Sequence, residues 1–153
     1  DGLMVPHVDT AADAERIVET VRYARFKNPE DTLILAMIES PAGVEIAPQI
    51  ASVPGVDVVF AASSDLGSFT GRRQGDPQYE ALVTEIKDAT LGEGRALGGP
   101  LAWLTTREGY SFFQGPGATN LVRAGAQVVL GNADPCRNLP SGVAPVEGED
   151  PCP

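Results

Sequence analysis

The sequence predicts an α/β fold built on a parallel sheet, and three observations carry that prediction. Short apolar runs alternate with segments of helical periodicity along most of the chain. The runs are nearly continuous, as expected when helices cover both faces of a sheet or when one face lines a barrel interior. Each strand-helix pair takes roughly 30 residues, the length of one right-handed crossover unit.

Leu3-Met4-Val5 is the first strand. A helix follows from Thr10-Ala11-Ala12-Asp13, a capping-box spacing in which the Thr hydroxyl and Asp carboxylate can satisfy first-turn amides. Its apolar residues Ala14, Ile17, Val18 and Val21 fall on one stripe. Strand two is Leu33 to Ile38. Ser40-Pro41 then supplies an N-cap with Pro at the first helical position, and Val44, Ala47, Ile50 and Ala51 form the buried face. Strand three is Val56 to Phe60. Asp76-Pro77 opens a third helix, with Leu82, Val83, Ile86 and Ala89 facing inward. Strand four runs from about Ala96 to Ala102. A short helix around Leu121 to Ala124 ends at Gly125, and strand five is Ala126 to Leu130.

Five such units account for the chain, whereas a closed barrel of eight needs about 250 residues. An open five-stranded piece leaves two unpaired edges. A fragment of a barrel is therefore the preferred reading, ahead of a chain completed by partners or an open doubly wound sheet. The start at Asp1-Gly2-Leu3-Met4-Val5 has no basic n-region and reads as the middle of a longer protein.

The composition, 42% hydrophobic and 21% charged, is that of a globular domain. A net charge of −10 makes phosphate backbones and anionic lipid poor partners, so neither nucleic acid nor a membrane is expected. Cys136 and Cys152 lie in a Pro-, Gly- and acid-rich segment, residues 133–153, set apart from a domain at 1–132. They are either two unpaired thiols or one disulfide closing a short loop, and pairing would hint at export. Neither has the further ligands that zinc requires.

In parallel α/β folds the working groups gather on loops after the carboxyl ends of strands. Two of those loops carry an acid: Glu39 directly after strand two, and Asp65 shortly after strand three. Neighbouring strands lie about 4.8 Å apart, so the carboxylates can approach. At 4 Å and an effective dielectric of 20 they would repel by about 4 kcal/mol, which calls for a cation or a shared proton. Oxygen ligands with water favour Mg2+ or Mn2+. The alternatives are that Glu39 caps the following helix and that Asp65 makes an Asx-turn. Ser63-Ser64-Asp65-Leu66-Gly67 reads as a small-residue loop whose exposed amides could hold an anion.

Taken in order, Gly2-Leu3-Met4-Val5-Pro6-His7-Val8-Asp9-Thr10, Met37-Ile38-Glu39-Ser40, Gly43-Val44-Glu45, Val53-Pro54-Gly55-Val56-Asp57 and Ser64-Asp65-Leu66 with Gly71 resemble the HpcH/HpaI aldolase and citrate lyase family. The resemblance runs from Gly2 to about Asn132. It implies a (β/α)8 TIM barrel of the pyruvate/phosphoenolpyruvate type, of which this sequence holds strands four to eight. It also implies a metal-dependent carbon–carbon lyase that cleaves or forms 4-hydroxy-2-oxo acids through a pyruvate enolate, taking a small 2-oxo acid and an aldehyde. Glu39 and Asp65 match the family's metal ligands, for Mg2+, Mn2+ or Co2+. The amides around Ser63, Ser64 and Asp65 match the loop that grips the pyruvate carboxylate. A homo-oligomer and a cytoplasmic location are what the family implies by default.

The sequence also departs from the family pattern. The family's histidine base and substrate-binding arginine lie on earlier strands. Met37 stands where some members carry glutamine, the linker from Arg25 to Thr32 is short, and Ala62-Ser63 replaces the usual Gly-Pro. A CoA-thioester lyase relative and a non-catalytic 2-oxo-acid or metal binder are the competing functions. Among the other residues, His7, the one histidine, is either a base or a loop residue bonded to backbone. Asp9 reads as a turn or N-cap residue. Arg72-Arg73 is either a solvated pair or a grip on an acidic substrate tail. Trp103 either lines a pocket or packs under a loop, and Phe112 to Gly117 reads as a loop that could cover the site.

Overall fold

In the computed structural model, which describes residues 2–23 and 29–131, five strands form one parallel sheet. The strands β1 (Gly2–Val5), β2 (Leu33–Ile38), β3 (Val58–Ala61), β4 (Ala96–Pro100) and β5 (Phe112–Gln114) lie side by side in chain order. Leu3 stands opposite Ile34, Ile38 opposite Ala61, Phe60 opposite Gly98, and Gly99 opposite Phe113. The order never reverses, so the sheet has no topological switch point of the doubly wound kind. It is half of a β/α barrel.

Alternate strand residues face the helices. Ala36, Ile38, Val59, Ala61 and Leu97 pack with Val44, Ile50, Val83 and Ile86 in one core. At Gly98 a Cβ would fall 2.7 Å from the Phe60 ring, so glycine there makes room for the neighbouring strand's aromatic.

The helices follow the sequence reading in part. In α1 (Ala11–Tyr23) the Thr10 hydroxyl oxygen accepts from the Asp13 amide at 3.0 Å. The Asp13 carboxylate takes the Thr10 hydroxyl at 2.6 Å instead of an amide. The single helix expected after Ser40-Pro41 is two, α2 (Pro41–Glu45) and α3 (Ala47–Ser52), broken at Ile46 with φ −111° and ψ 17°. Pro48 explains the break: it lacks an N–H and its ring would clash with the carbonyl four residues back. The Ser40 cap holds, accepting from Gly43 N at 3.1 Å. Asp76 likewise caps α5 (Pro77–Gly92), accepting from Gln78 N at 2.9 Å.

Four expectations are corrected. Ser63-Ser64-Asp65-Leu66-Gly67 is the start of α4 (Ser63–Thr70), not a loop. Serines and an acid suit a first helical turn, and the turn carries Leu66 into the core. The expected strand Ala126 to Leu130 belongs to α6 (Ala118–Val129), which runs straight through Gly125. A single glycine costs a helix only about 1 kcal/mol, and the apolar residues Leu121, Val122, Val128 and Val129 repeat at helical spacing. The fifth strand is instead Phe112–Gln114, within the stretch read as a covering loop. Strand four also ends early, at Pro100, and passes into a 3-10 turn at Leu101–Trp103.

The 24–28 part of the short linker, and Cys136 and Cys152 with the segment 133–153, lie outside the described residues. Among the described residues no helix is long and apolar enough to cross a membrane.

Candidate active site

Glu39 follows β2 directly and is 3% exposed. Its Oε1 accepts the His7 amide at 2.9 Å and lies 3.4 Å from His7 Nε2. Both contacts fall on the same oxygen. A carboxylate this buried needs compensation for the water it has lost, and one backbone donor with a largely exposed imidazole is a thin supply. The His7 backbone itself is left-handed, φ 54°, a region histidine visits more readily than most residues. That turn lets its amide face Glu39. Its ring packs edge-on against Phe69, centroids 5.6 Å apart. Glu39 does not cap α2, since the side-chain cap comes from Ser40. Asp9 is neither a turn nor a cap acid: its Oδ1 accepts from Ser40 Oγ at 2.5 Å and so fixes the capping serine.

Asp65 sits on the exposed first turn of α4, after the neighbouring strand β3. Ser64 Oγ donates to its Oδ2 at 3.2 Å. Ala62 offers the turn no side-chain cap, which leaves first-turn amides open to a ligand. Ile38 and Ala61 are register partners, so Glu39 and Asp65 leave the sheet from adjacent strand ends on the same rim. Among the described residues no group of three His, Cys, Asp or Glu side chains gathers at one point. Two carboxylates with, among the described residues, no thiolate nonetheless fit a hard divalent cation, which keeps several waters and takes one or two carboxylates from a protein.

On the opposite flank of α4 a cleft of about 370 Å³ opens between Ser63, Ser64 and Ser68 and the connection Arg72-Arg73-Gln74. Gly67 brings that connection close. A Cβ there would lie 2.9 Å from the Arg72 carbonyl oxygen. Gly71, φ 67°, ends the helix in the left-handed conformation, and the Arg72 amide turns back to the Gly67 carbonyl at 3.1 Å. Tyr79 is buried, and its hydroxyl donates to the Ser63 carbonyl at 3.0 Å, which ties α4 to α5. Burial raises the Tyr79 pKa from its ordinary value.

Trp103 is 1% exposed and packs rather than lining this space. Its Nε1 donates to Gln74 Oε1 at 3.1 Å, Tyr110 meets its ring edge-on, and the Arg107 guanidinium lies 4.3 Å from its ring centre. Arg107 also pairs with Glu80 at 2.7 Å, and its hydrogen bond holds the Glu80 carboxyl below the usual range. Arg72 pairs with Asp76 at 3.0 Å. The Asp76 carboxyl is lowered first by the Gln78 amide and then by Arg72. The sequence reading missed Gln74, Tyr79, Glu80, Arg107 and Tyr110. Only their aromatic and charged character marked them, because each acts through a partner 16 to 29 positions away or on another element.

A parallel β/α half-barrel with acids at the carboxyl ends of adjacent strands belongs to the β/α-barrel fold class, whose working groups gather at that rim. The chain is a member of the HpcH/HpaI aldolase/citrate lyase family, whose model matches residues 1–103. It is 33% identical to a hydroxypyruvate/pyruvate aldolase of Chromohalobacter salexigens, a match covering 63% of this chain and 48% of that one. It is 34% identical to a pyruvate aldolase of Rhizobium etli, covering 68% and 40%. The chain thus spans about half the length of the curated relatives it matches. Among solved structures, an HpcH/HpaI aldolase/citrate lyase family protein from Burkholderia cenocepacia superposes with a TM-score of 0.71 at 22% identity, covering 85% of this chain and 64% of that one. A CitE protein from Mycobacterium tuberculosis, solved with magnesium, acetoacetate and coenzyme A, gives 0.56 at 15% identity, covering 84% and 57%.

Proposed function

We propose that this chain supplies the metal-holding half of a carbon–carbon lyase that cleaves or forms 4-hydroxy-2-oxo acids through a pyruvate enolate. Glu39 and Asp65 are the proposed ligands of a divalent cation, Mg2+ or Mn2+ ahead of Co2+. The observation that carries the reading is the Glu39 carboxylate, 3% exposed at a strand end with both its contacts on Oε1. The names of the hydroxypyruvate/pyruvate aldolase relatives support the substrate class. The magnesium in the CitE structure supports the metal.

When bound, the cation supplies Lewis acidity toward the 2-oxo oxygen, where negative charge grows as the bond breaks. The chain's own residues arrange the reactants around it. The His7 amide fixes the rotation of the Glu39 carboxylate, so Oε2 is presented the same way in every molecule. Asp65, hydrogen-bonded only to Ser64 Oγ among the described residues, brings the second carboxylate from the adjacent strand end. The uncapped first turn of α4 offers amides and the positive end of a helix to the substrate carboxylate.

Calorimetric titration of the full chain with Mn2+ and then oxalate, an enolate mimic, tests this. Metal-dependent oxalate binding that disappears in Glu39→Gln and Asp65→Asn is the expected result. Unchanged oxalate binding in both variants refutes the metal assignment. Release of pyruvate from a 4-hydroxy-2-oxo acid then measures lyase activity.

A further inference from the structure

We propose that Asp9 is a positioning residue for the Glu39 carboxylate. Through Ser40 it holds the left-handed turn at His7 that brings the His7 amide onto Oε1. That Glu39 serves a cation rests on the aldolase reading above; the clasp itself does not.

The connection from Pro6 to Asp9 is fastened to the end of β2 at three points. The Val8 amide donates to the Met37 carbonyl at 3.1 Å, the His7 amide to Glu39 Oε1 at 2.9 Å, and the Ser40 hydroxyl to Asp9 Oδ1 at 2.5 Å. The fastenings therefore fall before, at and after the proposed ligand. Val8 is fully buried, so its side chain anchors the middle of the connection in the core.

His7 is where this arrangement is under load. Its φ of 54° makes it the one residue other than glycine in the left-handed region among the described residues. Such a conformation persists only where the surroundings over-determine it. The Val8 bond holds one peptide of the turn, and Asp9 supplies the side-chain fastening next to it. Without Asp9 the turn can relax toward ordinary φ, and the His7 amide leaves Oε1.

Ser40 is suited to relay the hold. Its hydroxyl donates to Asp9 while its oxygen accepts from Gly43 N at 3.1 Å, so the group is fixed in both senses and 6% exposed. The helix cap uses only the accepting side; the donating side is committed to Asp9. Gly43 lets the connection lie this close, since a Cβ there would stand 3.1 Å from both Asp9 Oδ1 and the Val8 carbonyl oxygen. An acid beside a second acid adds repulsion, so its value here is directional.

Two measurements on the full chain test the clasp: exchange of the His7 amide proton by NMR without metal, and Mn2+ affinity by calorimetry. Asp9→Ala should speed the exchange and weaken Mn2+ binding roughly tenfold, the worth of one hydrogen bond to a charged group. Asp9→Asn keeps an acceptor for Ser40 but no charge, and should recover most of both; this separates the clasp from simple attraction between Asp9 and a cation. Glycine adopts the left-handed turn without strain. In a His7→Gly background Asp9→Ala should therefore cost no more than about twofold, whereas general damage to the fold would cost the same in both backgrounds. Wild-type exchange in Asp9→Ala, an equal loss in both backgrounds, or Asp9→Asn as weak as Asp9→Ala overturns the assignment. If the wild-type chain takes up no Mn2+, the metal reading fails, and amide exchange in Asp9→Ala, Asp9→Asn and wild type decides the clasp alone.

Discussion

Removing one oxygen, in Tyr110→Phe, should make the protein more stable. The Tyr110 hydroxyl is buried with no hydrogen-bond partner among the described residues, while its ring packs edge-on against Trp103 at 5.2 Å between centroids. An unsatisfied buried hydroxyl costs about 1–3 kcal/mol, and the ring contact, worth about 0.5–1.5 kcal/mol, survives in phenylalanine. No bond is lost, so a gain of about 1 kcal/mol follows, or about 2–4 °C in Tm for a chain of this length. Alkali should widen the difference. Burial pushes the Tyr110 pKa up to about 12 from an ordinary 10. The folded protein therefore prefers the neutral phenol, a preference whose contribution is whole below pH 10 and drains away between pH 10 and 12. Two pH units correspond to about 2.7 kcal/mol for a fully buried group; partial exposure of Tyr110 brings this to about 1 kcal/mol. Thermal unfolding of both proteins at pH 7, 9 and 11, followed by circular dichroism, measures the gap directly. A variant less stable at pH 7, or a gap that stays constant up to pH 11, refutes the account of an orphaned, desolvated phenol.

The Glu80–Arg107 pair should govern part of the acid limb. The Glu80 carboxyl is held below its ordinary value, so its contribution is present above about pH 4.5 and is lost as pH falls through the lowered value. Glu80→Gln should lower stability at pH 7 by no more than about 1 kcal/mol, given the exposure of the pair, and the gap should close as pH falls below 4.5 in denaturant titrations. Two glycines in helices should respond in opposite ways to alanine. Gly125 has open space around it, so Gly125→Ala should raise helicity and add up to about 1 kcal/mol locally. Gly67→Ala meets the Arg72 carbonyl at 2.9 Å and should lose about 1–2 kcal/mol net. Saturating Mn2+ at a hundred times its Kd should stabilise the wild type by about 2.7 kcal/mol, visible as a rise in Tm, and leave Glu39→Gln unshifted.

Most of the sheet was legible because its signals are local. Leu33–Ile38 is an unbroken apolar run that burial on both faces requires, and its ends are those of β2. Ser40-Pro41 and Asp76-Pro77 are helix starts whose chemistry lies within three residues, and both caps form. The errors have the opposite character. Ala126 to Leu130 is rich in β-branched and aliphatic residues, but a strand needs a neighbour, and β4 pairs with Phe112–Gln114 instead. No local signal ranks three residues, Phe112 to Gln114, above five. Glu39 was visible as an acid after a strand; its burial and the His7 amide bonded to it were not, because that donor is 32 positions away. The cleft was half visible. Arg72-Arg73 drew attention as a basic pair, but Gly67 and Gly71 decide which way the pair points.

Helix α4 carries the proposed metal ligand Asp65 and also walls the cleft, and its setting matters to the first. Phe69 packs against His7, and Asp65, four residues earlier, shares its side of the helix, while Ser64 and Ser68, also four apart, line the cleft. A rotation of α4 about its axis would carry Asp65 away from the rim where Glu39 lies. Three anchors oppose that rotation: Leu66 in the core, the Tyr79 hydroxyl on the Ser63 carbonyl, and the Arg72 amide on the Gly67 carbonyl. None of the three is a proposed metal ligand. Tyr79→Phe, which removes only the second anchor, should therefore weaken Mn2+ binding in calorimetric titration without touching a ligand. If Mn2+ bound Tyr79→Phe as tightly as the wild type, the Tyr79 anchor would not be what sets Asp65 against Glu39.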